Sequence, residues 1–442
     1  MNKLTYLWEA LRESLWFIPM CIVIGAVLLA LGLIELEAAV EREQLAEHWP
    51  TLFGVGADGS RALLSAIASS MITVAGVTFS ITVVALSLAS SQYTSRILRN
   101  FMRNRSNQAV LGVFVGVFAY CLVVLRTIRG GDQGVFVPGL AVLGALLLAF
   151  VAISFLIFFI HHIATSIQAT SIIKSAATET LEAIDRLFPT EIGEATAEHV
   201  GNAPGARVDL AAQAWITIPA QQSGYIQGID ADALLHVACA QDIIVRMEKE
   251  IGEFVIEASP LVSVTGKSPG DETIWELNAA YTIDWRRAVE QDATYGIQQI
   301  VDVALKALSP GINDTTTAII CVDFLGMILA RLIARHIETP YHSDNGQLRL
   351  ITRGPTFSNL LSQAFDQIRR NAEGNVAVLI RLLQSLETLT KLTVNVQRHQ
   401  ALRQQAALII ETAERTVPMA YDRMPIQAIR DRIFPLPADE SR

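Results

Sequence analysis

The chain has 442 residues, of which 51% are hydrophobic and only 17% charged, with a formal net charge of −9; a soluble domain carries roughly 25% charged residues. The mild acidity, with no basic stripe, excludes a nucleic-acid-binding surface. Cys21, Cys121, Cys239 and Cys321 stand far apart, with no CxxC pair and no Cys/His spacing, which excludes a disulfide framework and a zinc site.

Apolar residues are concentrated between Ser14 and Ile160, and from Lys174 onward the chain reads like a soluble domain rich in Gln, Glu and Arg. Four apolar runs, at 15–34, 63–89, 109–125 and 135–160, approach the ~20 residues a helix needs to cross a bilayer. The first is too long for the apolar region of a signal peptide and has no small-x-small cleavage site behind it. The linker after it holds Glu35, Glu37, Glu41, Glu43 and Glu47, whereas the linker after the second run holds Arg96, Arg99, Arg103 and Arg105 and no acid. The positive-inside rule makes the arginine-rich linker cytoplasmic. Both termini are then cytoplasmic in a multi-pass protein of the inner membrane; Arg126 and Arg129 in the third loop are outnumbered.

The second run is the most polar. At ~100° per residue, Ser65, Ser69, Thr73, Gly76, Ser80, Ser87 and Ser91 fall within roughly an 80° stripe, while Met71, Ile72, Val77, Ile81 and Leu88 point elsewhere. Such a stripe serves either close helix packing or a water-lined pathway between assembled copies. None of the four runs contains Asp, Glu, Lys or Arg, which argues against a proton-driven pump. His161 and His162, at the end of the fourth run, read as an interfacial pair.

The remainder divides into a helical stalk at 164–190, a β-rich module at 191–272, a helical bundle at 273–434 and a disordered tail at 435–442. Ile163, Ile167, Ile173, Leu181, Ile184 and Leu187 continue the fourth run as an amphipathic helix up to Pro189. AWITIP and SGYIQGID alternate apolar and polar residues as strands do. With a helix at about 232–241 and the later Gly-Glu-Phe-Val, this resembles a barrel-sandwich hybrid of the biotinyl/lipoyl kind. Lys249 lacks the Met-Lys-Met context of a cofactor-bearing tip and reads as a solvated turn lysine. Further helices are predicted at 293–308, 315–334, 357–371, 375–395 and 398–416, with a short one at 426–433. The fold class is thus a membrane α-helical domain of four transmembrane helices followed by a cytoplasmic α+β domain.

Between the helices at 293–308 and 315–334, Ser309-Pro310-Gly311 breaks the first and Asp314 is placed to cap the second. The functional reading of this block is a small-ligand or ion site, with helix N–H groups facing an anion and Asp302 or Asp314 beside it. The structural reading is a tight joint in which Ser309, Asn313 and Asp314 cap helix ends. No nucleophile–base pair, P-loop, dinucleotide fingerprint or metal-ligand spacing is present. No enzyme activity, catalytic residue, metal or cofactor is therefore expected.

FSITVVALSLASSQYTSRIL, together with DATYGIQQIVDVALKALSPGINDTTTAI, resembles a family of bacterial predicted membrane proteins, domain-of-unknown-function family 2254, over nearly the whole chain. Thr315 stands where members of that family tend to carry Pro after Asn-Asp. The resemblance implies a membrane protein and no established activity. Two functions remain as expectations. One is a homo-oligomeric, passive ion or small-solute channel with a cytoplasmic regulatory domain. The other is a membrane-anchored sensor or scaffold that binds a ligand or partner without transport.

Overall fold

A computed structural model describes residues 16–39, 56–92, 105–129, 136–166, 168–188, 213–285, 287, 292–335, 337, 341–344 and 347–435. The expected tail at 435–442 lies outside them except for residue 435. The chain divides into two compact units, Met1–Ile172 and Ile173–Arg442.

The first unit is built on α1 (Phe17–Ala39), α2 (Ala57–Gln92), α3 (Arg105–Thr127) and α4 (Gly139–Ser166). Its core gathers Leu64, Ile67 and Met71 of α2, Phe114, Tyr120 and Val124 of α3, and Ala141, Ala145 and Phe159 of α4. The contacts fix helix direction. Gly112 of α3 abuts Pro19 and Ile22 of α1, and Gly116 abuts Ile22 and Ala26, so α1 and α3 run parallel. Tyr120 donates a hydrogen bond to the Ala141 carbonyl (2.8 Å), and the α2 side chain Arg61 donates to the Ile128 carbonyl beyond α3 (3.1 Å). Hence α2 and α4 run opposite to α3. Outside this core, Met20, Leu28, Leu147, Phe150, Ile157 and Ile160 are exposed, an apolar circumference that water would not tolerate but lipid does.

Glu37 overturns one expectation. The predicted first span ends at residue 34, whereas α1 continues to Ala39 and its apolar stretch runs Phe17–Glu37. An acid therefore belongs to the spanning helix. It is buried, with its two carboxylate oxygens accepting the N–H groups of Gly139 (2.6 Å) and Leu140 (2.8 Å).

The stalk also departs from expectation. Instead of one continuous helix, α4 stops at Ser166 and a new helix, α5 (Ala169–Leu187), begins. The Thr165 hydroxyl bonds back to the carbonyls of His161 (3.1 Å) and His162 (3.0 Å), and such back-bonding competes with continuation of the helix. His162 stacks on Phe158, with ring centroids 5.5 Å apart.

The second unit holds β1 (Trp215–Pro219), β2 (Gly224–Ile229), α6 (Ala231–Ala240), β3 (Val245–Met247), β4 (Phe254–Val255), β5 (Pro260–Thr265), α7 (Asp271–Ala279) and β6 (Tyr281–Asp284). After them come α8 (Ala293–Leu308), α9 (Thr315–Ile333), β7 (Tyr341–Asp344), β8 (Gln347–Ile351), α10 (Phe357–Asn371), α11 (Val376–Leu392), α12 (Val396–Thr416) and α13 (Ala420–Ile433). One sheet has the order β1-β5-β3-β8-β7 and the other β4-β2-β6. All pairs are antiparallel except β3 with β8. Ile218, Ile226, Leu234, Val245, Val262, Leu277 and Leu350 form their shared core.

The β region is therefore not confined to 191–272: β6, β7 and β8 come from beyond it. The parallel β3–β8 pairing, Val245 with Leu350 and Arg246 with Ile351, ties the β region to the helices.

Among the described residues, five helices are long and apolar enough to cross a membrane: the four of the first unit and α9, of 19 residues. In α9, Cys321, Val322, Leu325, Ile328, Leu329 and Leu332 are fully buried, packed by α8, α10 and α11. At its C-terminus the Arg398 side chain of α12 donates to the carbonyls of Ile333 (2.6 Å) and Arg335 (2.8 Å), a cation placed where the helix dipole favours one.

Candidate functional site

The hydroxyl-bearing helix α2 packs through one side only. Ser60, Leu64, Ile67, Ala68, Met71, Ala75, Thr78 and Ala85 are buried. Ser65, Ser69, Thr73, Gly76, Ser80 and Ser87 are all exposed, and at ~100° per residue they lie on roughly the opposite side of the helix. A methyl group added at Gly76 would meet nothing within 4 Å. Some hydroxyls of the helix fold back onto it: Ser70 donates to the Ala66 carbonyl (2.7 Å) and Thr73 to the Ser69 carbonyl (2.8 Å). The side chain of Ser91 lies outside the described residues. The stripe is thus brought together as a continuous face, and among the described residues no other helix of the first unit fills it. Flanking it are exposed Ile72, Val77, Phe79 and Val84.

The α8–α9 joint is closed by its own groups. Ser309 Oγ donates to the Lys306 carbonyl (2.6 Å), and the Asn313 N–H donates to the Ser309 carbonyl (2.9 Å). Asn313 adopts φ 48°, a left-handed conformation that Asn tolerates better than most residues. Asp314 accepts the Thr317 N–H (3.0 Å) and the Thr317 hydroxyl (2.5 Å), while its own N–H reaches the Ala307 carbonyl (2.8 Å). Pro310 is exposed at the bend. Asp302 is not part of this constellation: it lies back along α8, where Gln298 Nε2 donates to it (2.8 Å). The geometry is that of a capped joint.

The Thr317 hydroxyl and then the Thr317 N–H hold the Asp314 carboxyl below its usual range. A depressed folded-state value means stability that is present above the ordinary Asp range, near ~3.9, and lost as pH falls through the lower folded value. Asp314→Ala is expected to cost about 1 kcal/mol of unfolding free energy at neutral pH, and Asp314→Ser much less. The deficit of the alanine variant should vanish in acid; an undiminished deficit there would show that the carboxylate was not its source.

A further constellation went unnoticed in the sequence. At the N-terminus of α8, Asp292 is buried and accepts Arg287 Nε (2.9 Å) and Nη2 (2.5 Å), the Thr294 hydroxyl and the Tyr295 N–H (3.0 Å). Gly252 presses on this pair: a Cβ there would stand 2.5 Å from both Arg287 Nη2 and Asp292 Oδ2, and its φ is +88°. The turn, the pair and the first two turns of α10 enclose an open cleft of about 230 Å³. Gln363 of α10 closes the far side by donating to the Thr294 carbonyl (2.9 Å). In sequence, Asp284, Arg286, Arg287, Glu290 and Asp292 read as a solvated, salt-bridged helix face, whereas Asp284 ends β6 and Asp292 is buried; the signal missed was Asp292 directly before an apolar helix, a capping pattern.

The first unit holds a second unnoticed signal. Gly112-Val-Phe-Val-Gly116 is a GxxxG pattern, and it lies on the α1-facing side of α3.

Comparison with known proteins agrees with this architecture. The family described as "Predicted membrane protein (DUF2254)" matches residues 12–388. An uncharacterized protein of Mycobacterium bovis and one of Mycobacterium tuberculosis are each 33% identical over 371 residues, covering 82% of this chain and 70% of theirs. No solved structure matches the chain. A match of this extent places the chain in the DUF2254 family of predicted membrane proteins.

Proposed function

We propose that the protein is a homo-oligomeric channel of the inner membrane, passing ions or small solutes passively, with the second unit in the cytoplasm as its regulatory part. The observation that carries this reading is the exposed hydroxyl face of α2, opposite the side on which the helix packs. A face of Ser, Thr and Gly gains little from lipid. Against the same face of other copies it permits close approach or a wetted axis. Four spans, α1 to α4, are the reading that fits: α9 is the least apolar of the five helices, and Cys321, Val322, Leu325, Ile328, Leu329 and Leu332 are buried within its own unit. The charges of the linkers then set the direction, with both termini on the cytoplasmic side. The β region serves as a barrel-sandwich-like structural module, its turn residue Lys249 lying 3.6 Å from Glu253.

Flux of potassium, chloride and small neutral solutes into liposomes holding the purified full chain tests the proposal. Wild-type protein is expected to conduct, and Ser69→Leu and Ser80→Leu to reduce flux to background without changing thermal stability, because neither side chain is buried. Absence of flux in the wild type, or unchanged flux in both variants, overturns it. The second reading, a membrane-anchored sensor or scaffold, draws on the cleft beside Arg287 and Asp292 and predicts ligand binding with no flux.

A further inference from the structure

We propose that the cleft of the second unit is a binding site for a small organic cation carrying a primary ammonium or guanidinium group, held by Glu250. The site deepens the regulatory role given above to this unit, but its binding is measured independently of conduction.

The argument starts from charge. Among the described residues lining the cleft, two of the charged side chains are already matched. Arg287 is neutralised by Asp292 at 2.5 Å, and Glu253 accepts the Glu250 N–H (2.8 Å) and lies 3.6 Å from Lys249. The Glu250 carboxylate has no ion-pair partner among the described residues. Arg353, the neighbouring cation, donates to the Glu248 carbonyl instead (2.9 Å). A half-buried carboxylate with no ion pair among the described residues favours a cationic guest and disfavours an anion.

The rest of the lining narrows the chemistry. Asn359 and Gln363 offer amide oxygens that accept N–H donors, and Ile251, Pro355 and Leu360 supply apolar wall for a short carbon chain. At about 230 Å³ the cleft is smaller than the ~300–1,000 Å³ typical of drug-sized ligands, so the guest is small. A metal ion is the poorer guest: no group of three His, Cys, Asp or Glu suited to one occurs among the described residues.

Burial raises the Glu250 carboxyl above its usual range; Glu253 and Asp292 push the same way, and Arg353 opposes them. Binding of a cation needs the ionised form. Affinity should therefore begin to fall, as pH is lowered, before the ordinary Glu range near ~4.3 is reached.

The test is calorimetric and thermal-shift titration of the full chain in detergent with putrescine, agmatine and arginine, against sodium chloride of matched ionic strength and magnesium chloride. A saturable stabilisation is expected from at least one of the three, weakened about tenfold by Glu250→Gln and also weakened by Asn359→Leu. Without ligand, Asn359→Leu should melt like the wild type, since Asn359 is exposed, and Glu250→Gln should melt no lower, since it removes a partly buried carboxyl whose pKa the fold raises. The proposal is overturned if none of the three cations gives a saturable shift, if either salt reproduces it, or if both variants bind as the wild type does.

Discussion

Gly112→Leu is expected to destabilise the first unit by about 3 kcal/mol, at the upper end of what overpacking ordinarily costs. A Cβ at Gly112 would stand 2.8 Å from Ile22 Cδ1 and 2.9 Å from Pro19 Cα. The first atom belongs to a side-chain tip that can turn aside. The second is backbone, so α1 itself must move away from α3. Separation then spreads along the interface, because Gly116 meets Ile22 and Ala26 one turn on, at 3.3 and 3.4 Å. Within a membrane there is no hydrophobic force to restore the contact, since lipid solvates the parted helices as well as they solvate each other. Gly25 and Gly32 of α1 are the controls: a Cβ at either would meet nothing within 4 Å, so Gly32→Leu should stay within about 0.5 kcal/mol of wild type. Thermal midpoints in one detergent, with Gly116→Leu falling between, measure the series. Equal midpoints for Gly112→Leu and Gly32→Leu would refute the interface.

Most helices of this protein were legible in the sequence because their signals are local. The stretch 293–308 is an apolar stripe with Ser309-Pro310-Gly311 behind it, and the helix found is Ala293–Leu308. Thr356 and Asn375 cap α10 and α11 with side-chain bonds to the N–H groups of Asn359 (3.2 Å) and Val378 (3.3 Å), and both helices begin where expected. What escaped was non-local. The strands β7 and β8 are short and polar, and their place in the sheet comes from pairing with β3, about a hundred residues earlier. The sequence between the two strands did leave a trace, the dipeptide Asn345-Gly346, which is a strong hairpin signal. The face of α2 was readable as a stripe, but which of its sides packs depends on α3 and α4 and not on α2 alone. Composition likewise separates α9 poorly from the helices of the first unit, since a helix buried in protein and one buried in lipid are both apolar all round.

Glu37→Ala is expected to cost the first unit about 3 kcal/mol, the combined worth of two hydrogen bonds to a charged group. The cause lies in Pro138. Its carbonyl accepts the Val142 N–H (2.9 Å), so it occupies the capping position of α4, yet proline has no side-chain oxygen to cap with. The first N–H groups of a helix lack internal partners, and here Gly139 and Leu140 find theirs in the Glu37 carboxylate, at 2.6 and 2.8 Å, carried by another helix. The bonds also place a negative charge at the positive end of the α4 dipole. At the same end of the unit, Arg61 meets the Ile128 carbonyl beyond the C-terminus of α3 (3.1 Å), the complementary sign at the complementary helix end. Glu37→Gln keeps the length and one acceptor oxygen but loses the charge, and should forfeit about half the effect. Glu37→Asp is shorter by one methylene and should behave nearly as the alanine variant, which a purely electrostatic role would not predict. Arg61→Ala, at a half-buried site with one longer bond and an ion pair to exposed Asp58 (3.6 Å), should cost about 1 kcal/mol. Denaturation of the four variants in one detergent reads out the order. If glutamine and alanine at this position are both as stable as glutamate, α1 does not cap α4, and the carboxylate must be held in the membrane unit for some purpose other than stability.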